Sequence, residues 1–170
     1  MLVRWARECG LVPHTTDLDL AARAEDYSLK LENALINDKT LSLFWILGKP
    51  EDSLELSVYA LSMKIDLFFV YPEKSGGSWA GGMFVSKRQK LKWSYPALQN
   101  LCSVDLLGHL FYVACNYEGF LEADYGKNWT TPHLNSNFVW YQSHHNVQNN
   151  GYWTREEWKH VYRTRFIKNY

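Results

Sequence analysis

Two carboxylates stand two residues apart in Thr15-Thr16-Asp17-Leu18-Asp19-Leu20-Ala21-Ala22. Read as a β-strand, this stretch sends Asp17, Asp19 and Ala21 to one face and Leu18, Leu20 and Ala22 to the core. The two acidic Cα atoms then lie roughly 6.5–7 Å apart, and like charges side by side on one strand face repel. A divalent cation turns that repulsion into binding, because Mg²⁺ takes one or two carboxylates together with substrate phosphates. The plainer alternative is a strand end or turn where both aspartates face water. An isolated Asp-x-Asp does not separate the two.

A second acidic stretch bears on that choice. Ser62-Met63-Lys64-Ile65-Asp66-Leu67-Phe68-Phe69-Val70-Tyr71 is rich in strand formers, and its apolar residues continue on both faces. That pattern marks a central strand covered on two sides. Asp66 shares a face with Lys64, Phe68 and Val70. A buried carboxylate needs a charge partner, a metal or a proton. Lys64 is one candidate partner; a metal shared with Asp17 and Asp19 on a neighbouring strand is the other.

The remaining sequence must position these groups. At 170 residues and 46% hydrophobic composition the chain fits one folded α+β domain over residues 1–170. The 18 basic residues balance the 18 acidic ones, so bulk charge points away from a nucleic-acid or anionic-membrane partner. Aromatics at 16% suit stacking on sugars or bases, and equally suit filling a core. Cys9, Cys102 and Cys115 contain no Cys-x-x-Cys pair, which argues against a thiol-built zinc site. Cys102 and Cys115 flank an expected hairpin and can form one disulfide; three free thiols are the alternative. The sequence has no secretory signal, transit peptide or apolar run of membrane-spanning length. Asn128-Trp129-Thr130 is a glycosylation sequon, relevant only in a secretory lumen.

Hydrophobic spacing predicts a short helix over residues 1–9 stopped by Gly10, and a helix over 23–37 in which Tyr27, Leu31, Ala34 and Leu35 recur. Strands are predicted over 40–47, 54–59 and 63–71, with a turn over 48–52. A further strand over 79–84 is interrupted by glycines, which allow close approach of another strand or a ligand. Residues 87–93 read as a strand with Arg88, Lys90 and Lys92 on one face, serving either edge protection or phosphate binding. A hairpin over 101–115 turns at Gly108, and a helix over 117–125 stops at Gly126. Residues 127–152, which include His133, read as a long irregular segment of the kind that carries function, with the adjacent His144 and His145 as loop histidines. A helix over 156–167 follows a capping box at Thr154 and Glu157.

In order along the chain, several pieces resemble the fukutin-type branch of the LicD-like phosphotransferases. They are Trp5…Arg7-Glu8-Cys9-Gly10-Leu11-Val12-Pro13-His14-Thr15-Thr16-Asp17-Leu18-Asp19, then Lys64-Ile65-Asp66-Leu67-Phe68-Phe69, then Trp79…Gly81-Gly82. Cys102 with Cys115, Tyr125-Gly126-Lys127…Trp129, and Asn146-Val147…Asn149…Gly151-Tyr152-Trp153 complete the set. The similarity runs from about residue 5 to residue 158. It implies a nucleotidyltransferase-like mixed β-sheet flanked by helices, with Mg²⁺ or Mn²⁺ held by Asp17, Asp19 and Asp66. It also implies transfer of a phospho-alditol or phosphocholine from CDP-ribitol, CDP-glycerol or CDP-choline to a glycan or glycoprotein hydroxyl, in the Golgi or secretory lumen. Residue type nominates Arg7, Arg88, Lys90 and Lys127 for donor phosphates and Trp79, Tyr125 and Trp129 for stacking on cytosine or sugar. The family's opening strand and Gly-Thr/Ser turn are expected to fall before residue 1, and Arg4 stands where a small residue is usual. A glycan-binding or scaffold paralogue without turnover is the rival expectation.

Overall fold

The structure, a computed structural model, describes residues 2–10, 15–132, 136 and 138–165. It is a mixed α+β chain that divides into two compact units. Leu11, Val12, Pro13, His14 and His133 lie outside the described residues, as does the end of the predicted last helix from Phe166 onward.

Unit 2 comprises Thr16–Tyr71, Ala80–Lys92 and Asn149–Tyr170. It opens with β1 (Asp17–Arg23), a 3₁₀ turn at Ala24–Asp26 and α2 (Leu29–Asn37). The helix predicted over 23–37 therefore begins only at Leu29. Before it, Arg23 ends β1, whose ladder with β4 (Met63–Pro72) runs in parallel through Arg23↔Val70, and Ala24–Asp26 form the 3₁₀ turn. Tertiary pairing overrides the helix preference of Ala and Glu here. β2 (Leu41–Lys49), β3 (Asp52–Ala60) and β4 form an antiparallel meander, as expected.

The remaining strands of the large sheet are β5 (Ser78–Phe84), β6 (Gln89–Tyr95), β9 (Val147–Tyr152) and β10 (Tyr162–Thr164). The order is β10-β2-β3-β4-β5-β6-β9, with β1 attached to β4. Residues 78–79, 93–95 and 147–148 at the ends of β5, β6 and β9 belong to unit 1.

Three expectations change here. β6 lies between β5 and β9, so its basic face does not protect a free edge. The segment expected to be irregular over 127–152 ends in strand β9. The last helix, α4 (Arg155–Val161), stops at Val161, where the chain becomes β10 and pairs with β2. Its capping box is present: Thr154 accepts from the Glu157 N–H and Glu157 accepts from the Thr154 N–H.

The core of unit 2 gathers Leu47, Met83, Trp153 and Val161, with Trp45, Val85, Trp158 and Tyr162 around them. Leu54, Leu56 and Phe69 are wholly buried. β5 is continuous through its glycines, and Gly81 shows why one is needed. A Cβ there would lie 2.1 Å from Ser53 Oγ, an impossible contact, so Gly81 permits the close strand approach anticipated from the sequence.

Unit 1 comprises Met1–Thr15, Pro72–Trp79 and Trp93–Gln148. It holds α1 (Leu2–Glu8), the hairpin β7 (Leu101–Leu106) with β8 (His109–Ala114), and α3 (Tyr117–Tyr125). Gly108 sits at the hairpin turn with φ +82°, and Gly126 caps α3. At the end of α1 the left-handed residue is Cys9, at φ 50°, rather than Gly10. Cys102 and Cys115 form a disulfide with Cα atoms 4.9 Å apart, and Cys9 is a free, exposed thiol. No helix among the described residues is long and apolar enough to cross a membrane.

Candidate active site: a carboxylate cluster on one sheet face

Parallel pairing places Asp17 opposite Lys64 and Asp19 opposite Asp66. Directly paired residues of neighbouring strands share a sheet face. Asp17 and Asp19 from β1 and Asp66 from β4 therefore project together, and one carboxylate oxygen of each lies within 4.8 Å of the others. β1 is less buried than its alternation suggested: Leu20 is 39% exposed and Ala22 half-buried. Asp66 is buried on its central strand, while Asp17 and Asp19 are exposed residues.

β3 contributes two groups to the same face. Ser57 is paired with Asp66, and Glu55 with Phe68. The Ser57 hydroxyl lies 2.6 Å from Asp66 Oδ1 and 3.3 Å from Glu55 Oε1. Asp66 Oδ2 accepts a hydrogen bond from the Lys64 ammonium, so the charge partner proposed for Asp66 is present as well. Glu55 and Ser57 went unnoticed in the sequence. Their signal was two polar residues at strand spacing within an apolar run, and only the β3–β4 register turns that into a site.

Protonation records the crowding. Burial, then the Asp17 and Asp66 charges, push Asp19 up from 3.8 to about 6. Asp19 keeps surface exposure as a residue, so the burial that matters is the protein packed around its carboxylate. Glu55 is pushed up from 4.5 to about 8 by burial and then by Asp66. Burial opposes the Lys64 charge, but the hydrogen bond to Asp66 and the charges of Asp66, Glu55 and Asp17 win and raise its pKa.

The residues nominated for the donor divide between the units. In unit 1, Arg7 Nε donates to the Trp129 carbonyl at 2.7 Å and an Arg7 Nη reaches the Thr131 carbonyl, which brings Arg7 and Trp129 together. Tyr125 packs edge-on against His144 at 5.5 Å and tilts over Phe138. Trp79 is half-buried and Lys127 exposed. His144 is half-buried: Trp93 Nε1 donates to its Nδ1 at 2.8 Å, and burial lowers its pKa to about 4. In unit 2, Lys90 pairs with Asp52 and lies 4.5 Å from the Trp153 ring centroid. Arg88 takes the left-handed conformation, and its carbonyl accepts from the Trp153 N–H.

No protein-family model matches the sequence, and no solved structure matches it. Curated proteins do. Two uncharacterized proteins of Caenorhabditis elegans are 37% and 39% identical over 95% and 94% of the chain, which covers 44% of each. Human "Ribitol-5-phosphate transferase FKTN" is 35% identical over 92% of the chain, which covers 33% of that protein, and the mouse protein gives the same figures. The chain thus spans between a third and a half of the length of these relatives. Over nine-tenths of its own length, it is homologous to a segment of fukutin-like proteins.

Proposed function

We propose that this chain carries the phosphotransfer site of a fukutin-like ribitol-phosphate transferase acting in glycoprotein glycosylation. The arrangement is nucleotidyltransferase-like in this reading, and the cation is Mg²⁺ or Mn²⁺. The single observation that carries it is the convergence of Asp17, Asp19 and Asp66 from two neighbouring strands. Homology to proteins named ribitol-5-phosphate transferase supports the choice of transferred group. A LicD-like ancestry widens that choice to CDP-glycerol and CDP-choline beside CDP-ribitol.

The donor set fits a hard divalent cation. It is all carboxylate oxygen, and burial followed by the charges of Asp17 and Asp66 raises the Asp19 pKa. Asp17, Asp19 and Asp66 would hold the metal. When bound, it would supply neutralisation of the donor diphosphate and of the charge that develops in transfer. The residues do the rest. Ser57 and Lys64 hold the two Asp66 oxygens, which suits a fixed ligand better than a base that must receive a proton. The two exposed aspartates leave the cluster open to an incoming diphosphate on the β1 side. Transfer then breaks the diphosphate bond on the alditol side, forms a phosphodiester to the glycan hydroxyl and releases CMP; the hydroxyl proton passes to solvent. The Cys102–Cys115 disulfide supports an oxidising compartment such as the Golgi lumen.

Partly exposed Phe138 and Trp140, at 40% and 47%, favour a second reading in which the domain binds glycan without turnover. A donor screen separates the two. CMP release from CDP-ribitol, CDP-glycerol or CDP-choline, dependent on Mn²⁺ or Mg²⁺ and stopped by a chelator, supports the transferase. Glycan binding with no release from any of the three supports the binding paralogue.

A further inference from the structure

Lys64 is bound to the carboxylate cluster at the place where the cation would act. The β-ladders fix its position: it lies opposite Asp17 on β1 and Tyr59 on β3, two residues before Asp66, so its stem rises from the acidic face. Its ammonium is paired with Asp66 Oδ2, and its Nζ stands 5.8 Å from the centroid of the Trp45 ring. Asp17, Asp19, Glu55 and Asp66 all feel its charge. One ammonium therefore serves four carboxylates. Its side chain is 28% exposed against 6% for Asp66, so it approaches its partner from the more open side.

Resting on the metal reading above, we propose that Lys64 is a tethered counter-ion. It occupies the carboxylate cluster while no divalent cation is bound, and it is displaced from Asp66 when one enters. Two cations cannot share Asp66 without repelling each other, and a dication gains about twice the Coulomb energy of an ammonium at equal distance. Ser57 holds the other Asp66 oxygen, so this carboxylate stays in place when the lysine leaves. The arrangement offsets the mutual repulsion of Asp17, Asp19 and Asp66 in the metal-free fold. It also frees an ammonium beside the site when the metal loads, where an anionic donor would use it. A purely structural Lys64–Asp66 pair makes the opposite prediction, since it would support metal binding by keeping Asp66 ordered.

The test measures Mn²⁺ affinity, by electron paramagnetic resonance of free Mn²⁺, for the unaltered protein and for Lys64→Met, which keeps the stem and removes the charge. Expected is binding about tenfold tighter in Lys64→Met, together with a lower melting temperature before metal is added. A second measurement needs no variant. Acylation of Lys64 by an amine-reactive reagent, read by mass spectrometry, should speed up when Mn²⁺ is added. Unchanged or weaker Mn²⁺ binding by folded Lys64→Met, or protection of Lys64 by Mn²⁺, would overturn the inference while leaving the metal site standing. If neither protein binds Mn²⁺, the metal reading falls and takes this inference with it.

Discussion

Two lysine–aspartate pairs within unit 2 resemble each other in chemistry and differ in surroundings. Lys90 pairs with Asp52 beside the Trp153 ring, and nearby Lys49 pairs with Glu157 and also faces that ring. Each ammonium there has its own carboxylate, with an aromatic face adding to its stabilisation. Lys64 pairs with Asp66, but the same ammonium also faces Asp17, Asp19 and Glu55. The first region sets two ammoniums against the three carboxylates of Asp52, Glu157 and Glu51, is close to balanced and reads as structure. The second keeps an excess of negative charge that folding alone would not favour, and such unrelieved charge commonly marks a functional site. An ion pair by itself is thus uninformative; what separates the regions is the ratio of acidic groups to cations, three to two around Lys49 and Lys90 and four to one around Lys64.

The largest effect should come from the unbalanced region. Asp19→Asn is expected to lower CMP release about a thousandfold, since it removes a ligand from a cation that supplies several kcal/mol. Its metal-free melting temperature should hold or rise, because one repelling charge is gone. Lys90→Met is the counter-case. Leaving part-buried Asp52 without its ammonium should cost about 1–3 kcal/mol of stability in chemical denaturation, with no change in Mn²⁺ response. A Mn²⁺ response that changed with Lys90 would erase the distinction between the two regions.

Part of this contrast was legible in the sequence and part was not. Runs of strand formers separated by turn residues mark β2, β3 and β4, and Gly108 and Gly126 mark the hairpin turn and the end of α3. Asp17, Asp19 and Asp66 were nominated because charged residues at strand spacing in apolar runs are costly unless used. Glu55 is not marked in the same way, because alternation with Ser57 in an apolar run equally describes the solvated face of a strand. Its meaning comes from the antiparallel register that brings β3 against Asp66. Arg23 and the 3₁₀ turn after it fall within the expected helix because Tyr27, Leu31, Ala34 and Leu35 recur at helical spacing. The parallel ladder to β4, a long-range contact, claims Arg23 for β1, and the helix starts only after the 3₁₀ turn. The early end of α4 has the same cause, since pairing with β2 claims Tyr162–Thr164.

pH sharpens the comparison with a smaller effect. Glu55 has a folded pKa of about 8 against 4.5 for the free side chain, so the folded protein holds a proton that the unfolded chain has lost. Its contribution to stability is fully present below about pH 4.5 and is lost as pH rises through about 8. Asp19, raised from 3.8 to about 6, adds a loss in the same direction over a lower window. Metal-free protein should therefore melt at falling temperature from pH 5 to pH 8. Glu55→Gln should flatten the upper part of that slope, and an unaltered slope would show that Glu55 is ionised in the fold.

The smallest effect is expected for Asp66→Asn without metal. The amide keeps the shape and its oxygen still accepts from Ser57, while Lys64 retains Asp17 and Glu55 as neighbours. The melting temperature should stay level or rise slightly, and the Mn²⁺ response should disappear. A large drop, with metal response intact, would make Asp66 a structural partner of Lys64 and remove it from the site.

The measurement closest to the central claim is the Mn²⁺-induced shift in melting temperature, compared between the unaltered protein and Asp17→Asn/Asp19→Asn. A cation that binds only the folded state at a hundred times its dissociation constant stabilises by about 2.7 kcal/mol. The unaltered protein should show a rise of that order, and the double variant, folded by circular dichroism, should show none. A double variant that responds to Mn²⁺ as the unaltered protein does would place the cation elsewhere and contradict the account.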